Sequence, residues 1–455
     1  MSHNVGIPTI RRIEIFRSRT MNQPADTCPR RLAAASPPES AQSPPPHPSA
    51  PAGTTLSTPL TLFFAAAVGV IVVNLSAAQP LTGPVSRALG LPPALAGLIA
   101  MLPQLGYAAG LLLLVPLCDL LENRRLIVRT LACCAVFLAL SSFARSGWMF
   151  LASVFMAGAT SSVIQMLVPM AASMAPESRR GRAVGNVMSG LMFGILLSRP
   201  LASVIAGTFG WRAFYGIEAF ADALLAVVLS IQLPNHAPPV TARYAELLRS
   251  LWTLLRTEPV LQRRATLAAL ALGAFSAFWT AIALRLAQPP FSLGMQGVAA
   301  FALAGATGAI VTPFAGYLGD RGAGRATQIV AHLAMIAAVL VLGVAGAGWG
   351  GFSPAAHSVT ALALLVAGAA ALDAGVIADQ TLGRRAINLI NPAARGRLNA
   401  LFVGIFFVGG AIGAALSGVA WARAGWSGVC AVALGFAVAV FLFGFVDRAA
   451  QTGRH

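Results

Sequence analysis

Four charged side chains, Arg199, Glu218, Asp222 and Asp373, sit inside long apolar runs of this sequence. Charge in such a setting is costly, and it marks a site where ions, protons or polar substrates are handled. Glu218 and Asp222 are one helical turn apart, so both can face one direction. Arg199, followed by Pro200, and Glu218 lie at matching depths in neighbouring runs, which allows them to pair across adjacent helices. Two chemistries fit such a cluster. It is either a structural ion pair that makes burial tolerable, or a site where protonation of an acid frees an Arg to exchange partners. Asp373 lies in an Ala/Gly-rich stretch with room for close helix packing and is the best remaining proton carrier. The amides Asn74, Gln104, Gln165 and Gln380 suit either interhelical hydrogen bonds or substrate contact. Trp279 suits either stacking of an aromatic substrate or anchoring at a membrane interface. Asp379 is expected in solvent at the cytoplasmic end of its run, and His332 as a packed residue rather than a proton relay. No Ser/His/Asp set, metal-ligand cluster or phosphate loop is visible, which argues against an enzyme and against a bound metal or cofactor.

The composition says what must position these residues. Of 455 residues, 57% are hydrophobic and only 10% charged, whereas a water-soluble chain carries about 25% charged residues. Unbroken apolar runs of helical length recur at about 58–80, 94–117, 126–144, 148–174, 184–208, 213–233, 265–287, 296–318, 326–347, 358–380, 399–421 and 427–446. A bilayer core takes about 20 helical residues. The pattern predicts an all-α membrane protein with twelve transmembrane helices and the lipid bilayer as solvent. Residues 1–56, rich in Arg, Ser and Pro, read as a disordered cytoplasmic tail, and 448–455 as a short second tail. The polar stretch 234–264 reads as a cytoplasmic linker between an N-terminal bundle, 57–233, and a C-terminal bundle, 265–447.

The net charge of +17 comes entirely from Arg, since the chain has no Lys. A nucleic-acid partner would need Arg clustered with aromatics on a polar domain. Here the Arg residues lie in short connections instead. With the N-terminus inside, 25 of the 31 fall on the cytoplasmic side and five, Arg87, Arg145, Arg212, Arg285 and Arg423, on the other. The positive-inside rule then places both termini in the cytoplasm. The five Cys show neither disulfide-framework nor zinc spacing.

The halves repeat each other. Ala78-Gln79-Pro80 recurs as Ala287-Gln288-Pro289, and Asp119 and Asp320 each have an Arg five residues on, Arg124 and Arg325. An offset of 215 residues maps Gln165 onto Gln380, Arg180-Gly181-Arg182 onto Arg395-Gly396-Arg397, Gly194 onto Gly409, and Gly210-Trp211 onto Gly425-Trp426. Repeated six-helix units in the same orientation predict two bundles related by a pseudo-two-fold axis along the membrane normal. Such units place a site between them at mid-membrane and work by alternating access.

With Gly316-Tyr317-Leu318-Gly319-Asp320-Arg321 and a degenerate copy ending in Asp119, the chain resembles the major facilitator superfamily over all but its tail. In that family the loop motif locks the cytoplasmic ends of the two bundles when the carrier faces outward. The resemblance implies such a gate role for Asp119, Arg124, Gly316, Asp320, Arg321 and Arg325. Gln79-Pro80-Leu81, Phe278-Trp279-Thr280 and Asn391-Pro392-Ala393-Ala394-Arg395 are similar to bacterial twelve-helix exporters, including drug:proton antiporters and purine ribonucleoside and sugar efflux pumps. Those exporters usually carry Gly-Pro where this chain has Arg199-Pro200. The resemblance implies a monomeric, proton-coupled exporter of a small organic molecule. Alternatives are an uncoupled facilitator, an importer, or a non-transporting membrane receptor on the same fold.

Overall fold

In lipid no water is available to backbone polar groups, so a spanning segment must bond its own N–H and C=O groups, as a helix does. The computed structural model describes residues 58–176, 179–234, 243–391 and 394–452, and among these every regular element is helical. The expected tail at 1–56 lies outside the described residues. The first crossing is broken at Ala77 into α1 (Thr58–Ser76) and α2 (Ala78–Ala88). Pro80 falls in the first turn of α2, where a missing N–H costs no hydrogen bond. Then follow α3 (Leu98–Leu113), α4 (Asn123–Ser142), α5 (Gly147–Thr160) continued by α6 (Ile164–Met174), α7 (Arg180–Phe209) and α8 (Trp211–Gln232). After a short amphipathic helix, α9 (Tyr244–Thr257), the second half runs through α10 (Pro259–Leu286), α11 (Met295–Ala302) continued by α12 (Thr307–Asp320), α13 (Gly324–Ala347), α14 (Ser358–Asn388) and α15 (Arg395–Thr452).

Eleven of these stretches are long and apolar enough to cross a membrane, and the last accounts for two crossings. Its 58 residues would reach about 87 Å if straight, far more than a bilayer needs. The backbone leaves helical geometry at Ala424 and Gly425, where Gly425 takes φ +56°, and two arms result. A residue with a β-carbon resists that conformation, which explains a glycine at the turn.

The expected linker is shorter than the polar stretch suggested. Helix α10 begins at Pro259, so residues 259–264 belong to it. Helix α14 runs on to Asn388, eight residues past the apolar stretch that ends near 380. Apolarity marks where lipid contact stops, whereas the backbone hydrogen bonds continue beyond it.

In the first bundle α1 packs along α7, α4 along α8 and α3 along α5. In the second, α10 packs along α15, and α13 and α12 against α14. The repeat is visible in the seams. A β-carbon at Gly194 of α7 would collide with the Gly69 carbonyl of α1, and one at Gly413 of α15 with the Gly273 carbonyl of α10. These are close backbone approaches of the kind small residues permit in membranes.

The bundles approach closely at the end away from α9, called here the far end. Gly97, just before α3, abuts Ala414 and Gly418 of α15. A β-carbon at Gly83 of α2 would stand 2.8 Å from Leu284 of α10, and one at Gly207 of α7 2.8 Å from Met295 of α11. At the α9 end, Gly185 of α7 and Gly316 of α12 have nothing within 4 Å of where a β-carbon would be.

We expect Gly194→Leu and Gly413→Leu each to destabilise the detergent-solubilised protein by about 1–3 kcal/mol through overpacking. Gly435→Ala, which faces open space, should be neutral in the same thermal denaturation assay. Equal midpoints for all three would refute the seam assignment.

Candidate functional site

A chain of contacts crosses from one bundle to the other at mid-height. Arg199, 4% exposed on α7, donates from Nε to Oε1 of Gln79 on α2 at 2.8 Å. Its guanidinium carbon lies 4.4 Å from the ring centre of Trp279 and 5.1 Å from that of Phe275, both on α10. Trp279 in turn donates from Nε1 to Oδ1 of Asp373 on α14 at 2.9 Å. Asp373 and Arg199 approach a common point at Gly305, between α11 and α12. A β-carbon there would be 2.9 Å from Asp373 Oδ2 and 3.8 Å from Arg199 Nη1. The two opposite charges share this point without touching, because Gln79 and the rings hold the Arg while Trp279 holds the acid. Buried cation–π contacts are worth about 2 kcal/mol or more. The arrangement can do two things: bind a small polar or charged ligand between the charges, or change their attraction when Asp373 gains a proton.

The Arg199–Glu218 pairing that depth allows is not formed. Depth counting leaves helix rotation undetermined, and α7 turns Arg199 toward the second bundle while α8 turns Glu218 into the first. There Asp222 Oδ2 accepts from Asn74 Nδ2 at 3.1 Å, and Asn74 Nδ2 also lies 3.5 Å from Ser161 Oγ and 3.7 Å from Cys134 Sγ. Asn74 Oδ1, Asp222 Oδ1, Glu218 Oε2 and the Tyr215 hydroxyl are buried without a hydrogen-bond partner. One proton on Asp222 or Glu218 would supply a donor that this pocket lacks.

Asp379, expected in solvent, is 1% exposed. Its Oδ1 accepts from Gln328 Nε2 at 2.7 Å and meets His332 Nε2 at 2.9 Å, and Arg264 Nη1 donates to Gln328 Oε1 at 2.7 Å. The extension of α14 explains the difference, since it keeps Asp379 packed against α13. His332 is thus bonded to an acid rather than merely packed.

The matched glutamines differ. Gln165 donates to the Tyr107 hydroxyl at 3.1 Å, whereas Gln380 makes no hydrogen bond among the described residues. Gln104 Oε1 accepts from Ser276 on α10 at 3.2 Å, a contact between bundles. In the loop motif Asp320 pairs with Arg385 of α14 at 2.9 Å, and Arg385 also donates to the Gly319 carbonyl at 2.6 Å. This bond stays within the second bundle. Arg321 lies over Tyr317 at 4.4 Å, Arg325 is exposed, Gly316 has open space beside it, and Asp119 is exposed. Arg124 donates to the Ser230 carbonyl. The partners of Asp320 and Arg321, and the Ser230 carbonyl that Arg124 meets, thus lie within their own bundles in this conformation.

Comparison with known proteins agrees with this architecture. A sequence model of the Major Facilitator Superfamily matches residues 60–381. The chain belongs to the Major Facilitator Superfamily. It is 35% identical to the transporter YgaY of Escherichia coli over 375 residues, 82% of this chain and 92% of that one. It is also 35% identical to a transporter of Streptomyces coelicolor over 373 residues, 81% and 83%. Two solved transporter structures share the fold. A bacterial homologue of the lysosomal transporter Spinster, inward-facing and unoccupied, matches at TM-score 0.62 and 14% identity over 86% of this chain and 95% of that one. The nucleoside transporter NupG matches at TM-score 0.65 and 16% identity, over 86% and 98%. The chain is thus a multi-pass membrane transporter of a small molecule, and not an enzyme.

Sequence reasoning missed two participants. Gln79 figures in the repeat and in the resemblance but not among the site residues, and its repeat counterpart Gln288 is exposed in the turn after α10. Arg384 was counted among loop charges, yet it lies on α14. The signal for both was position along a helical face, once the helix ends are known.

Asp379→Ala should lower the stability of the solubilised protein by about 1–3 kcal/mol, because buried donors lose their acceptor. Glu218→Gln removes an acid whose Oε2 accepts nothing and should leave the thermal midpoint nearly unchanged. The reverse order would contradict the assigned bonding.

Proposed function

We propose that this superfamily member is a secondary active exporter, moving a small organic molecule outward across the bacterial inner membrane against proton entry. The observation that supports this reading is the interrupted charge pair. Arg199 on the first bundle and Asp373 on the second face one point at Gly305 without contact, so their attraction bears on how the bundles sit together. A proton on Asp373 cancels that attraction, and a ligand between the charges replaces it. Either event shifts the balance between conformations only by its differential interaction with each. Proton entry and ligand exit can be coupled in this way.

The Arg asymmetry supports cytoplasmic termini, with the α9 end inside. With that orientation the close approaches at Gly97, Gly83 and Gly207 seal the outer side, and the conformation faces inward. Loop-motif residues whose partners lie within single bundles fit that state, because a lock across bundle ends is needed only when the inner side closes. The Asn74–Asp222–Glu218 pocket offers a second proton site inside the first bundle, supported by its buried unpartnered oxygens.

In proteoliposomes loaded with a pH-sensitive dye, substrate addition should drive proton movement. Asp373→Asn should abolish this proton movement while retaining substrate exchange, and Arg199→Gln should lower substrate flux about tenfold or more, as expected for loss of a charge-assisted bond. Should Asp222→Asn uncouple instead, the proton site is the first-bundle pocket. Substrate flux that ignores a pH gradient in the unmodified protein would leave an uncoupled facilitator, and binding without any flux a receptor.

A further inference from the structure

Helix α14 presents one polar stripe toward the first bundle. Asp373, Gln380 and Arg384 are spaced by seven and four residues, which in an α-helix lie on a common face within about 40°. Asp379, with its own partners, points to another side. The stripe extends about 16 Å along the helix, from the Arg199 site toward the α9 end. At that end Arg384 stands within electrostatic reach of the Tyr107 hydroxyl on α3. Tyr107 is already bonded to Gln165 of α6, and its ring packs edge-on to Phe407 of α15, with centroids 4.8 Å apart.

Arg384 has a feature that no structural role accounts for. Its Nε is buried with no hydrogen-bond partner, and its guanidinium makes no ion pair with any described residue. The elements that bring Tyr107, Gln165 and Phe407 to it offer no counter-ion. Helices α3 and α6 contain no Asp or Glu, and neither does the arm of α15 that carries Phe407. A half-buried guanidinium between two bundles, with no acid beside it, is an unsatisfied cation. Arg385, the next residue, shows the contrast, since it is tied to Asp320 and Gly319.

We propose that Arg384 is an anion-binding residue of the transport path, and that the substrate is an organic anion with a flat apolar body. The forked guanidinium matches a carboxylate or sulfonate in two parallel hydrogen bonds. The packed Tyr107 and Phe407 rings are assigned as the apolar surface for the ligand's body, and the Gln165 amide, bonded to Tyr107, as a polar group for orientation. The two Arg of the path, Arg199 and Arg384, outnumber its one acid, Asp373, so an anion is favoured along the whole stripe over a cation. This assignment rests on the transport reading, but its test reads binding alone.

The test uses the full-length protein in detergent, with 2-naphthoate and 2-naphthalenesulfonate as probes. Neutral 2-naphthamide and cationic 2-naphthylmethylammonium serve as charge controls. Ligand binding to the folded state raises its apparent melting temperature. At least one of the two anions is expected to raise it, and the amide and amine are not. Arg384→Gln should weaken anion affinity about tenfold or more, and Arg384→Lys should restore part of it. Because the Arg384 side chain forms no hydrogen bond to any described residue, Arg384→Gln should fold with an unchanged midpoint in the absence of probe.

Four results would overturn the proposal: no shift with either anion, an equal shift with the amide, affinity indifferent to Arg384→Gln, or Arg384-dependent stabilisation by short-chain phosphatidylglycerol in place of the probes. The last would make Arg384 a lipid headgroup site. Anion binding without flux in proteoliposomes would leave Arg384 an anion-binding residue and overturn the assignment of that anion as substrate.

Discussion

A charge buried in a medium without water must be compensated where it stands, and this chain is organised around that constraint. Only a few of its charged side chains lie within the spans, and each buried one shapes its surroundings. Arg199 is held by an amide oxygen and two aromatic faces rather than by a carboxylate. This choice matters, because a direct Arg–Asp bond would make a stable, closed pair. Neutral partners stabilise the guanidinium while leaving its attraction for Asp373 available to a proton or a ligand. The path between bundles stays responsive because its charges are solvated by dipoles and rings.

The two bundles divide labour although they descend from one pattern. Their seams repeat: Gly194 on Gly69 matches Gly413 on Gly273, since close backbone packing is needed in both. Their polar interiors do not. The first bundle buries Asn74, Asp222 and Glu218 with several oxygens unpaired. The second buries Asp379 bonded to Gln328 and His332, with Gln328 bonded in turn to Arg264. A satisfied network rigidifies, whereas an unsatisfied one favours a change of protonation or partner. The Asp379 network therefore has the character of a fixed prop within the second bundle, whereas the Asn74–Asp222–Glu218 pocket of the first is open to a change of protonation.

The spans were legible in the sequence because lipid imposes a single demand, apolarity over a fixed length, and the chain meets it without ambiguity. Even the turn that splits α15 was visible, as Gly425-Trp426 repeating Gly210-Trp211. Partners were less legible, for a geometric reason. Counting residues gives depth but no rotation, and rotation decides that Arg199 meets Gln79 and Trp279. Errors at helix ends had a second cause. The apolar run of α14 stops near 380 while its hydrogen bonds continue to Asn388. Asp379 and Arg384 were consequently assigned to solvent and loop, when both are held on an ordered helix.

That extension of α14 carries the argument furthest. A helix that ended with its apolar run would leave Arg384 in a solvated loop, where a guanidinium needs no partner and attracts nothing specifically. Eight further residues place it on the same face as Asp373, between the bundles, with a partly desolvated charge. Desolvation strengthens its interaction with any anion that reaches it, since the competing water has been removed. The same turns of helix put Arg385 on a different face, where Asp320 and the Gly319 carbonyl neutralise it and tie α12 to α14. Two adjacent Arg residues thus take opposite roles from a rotation of about 100°. One fastens two helices together, and the other is left open to the path.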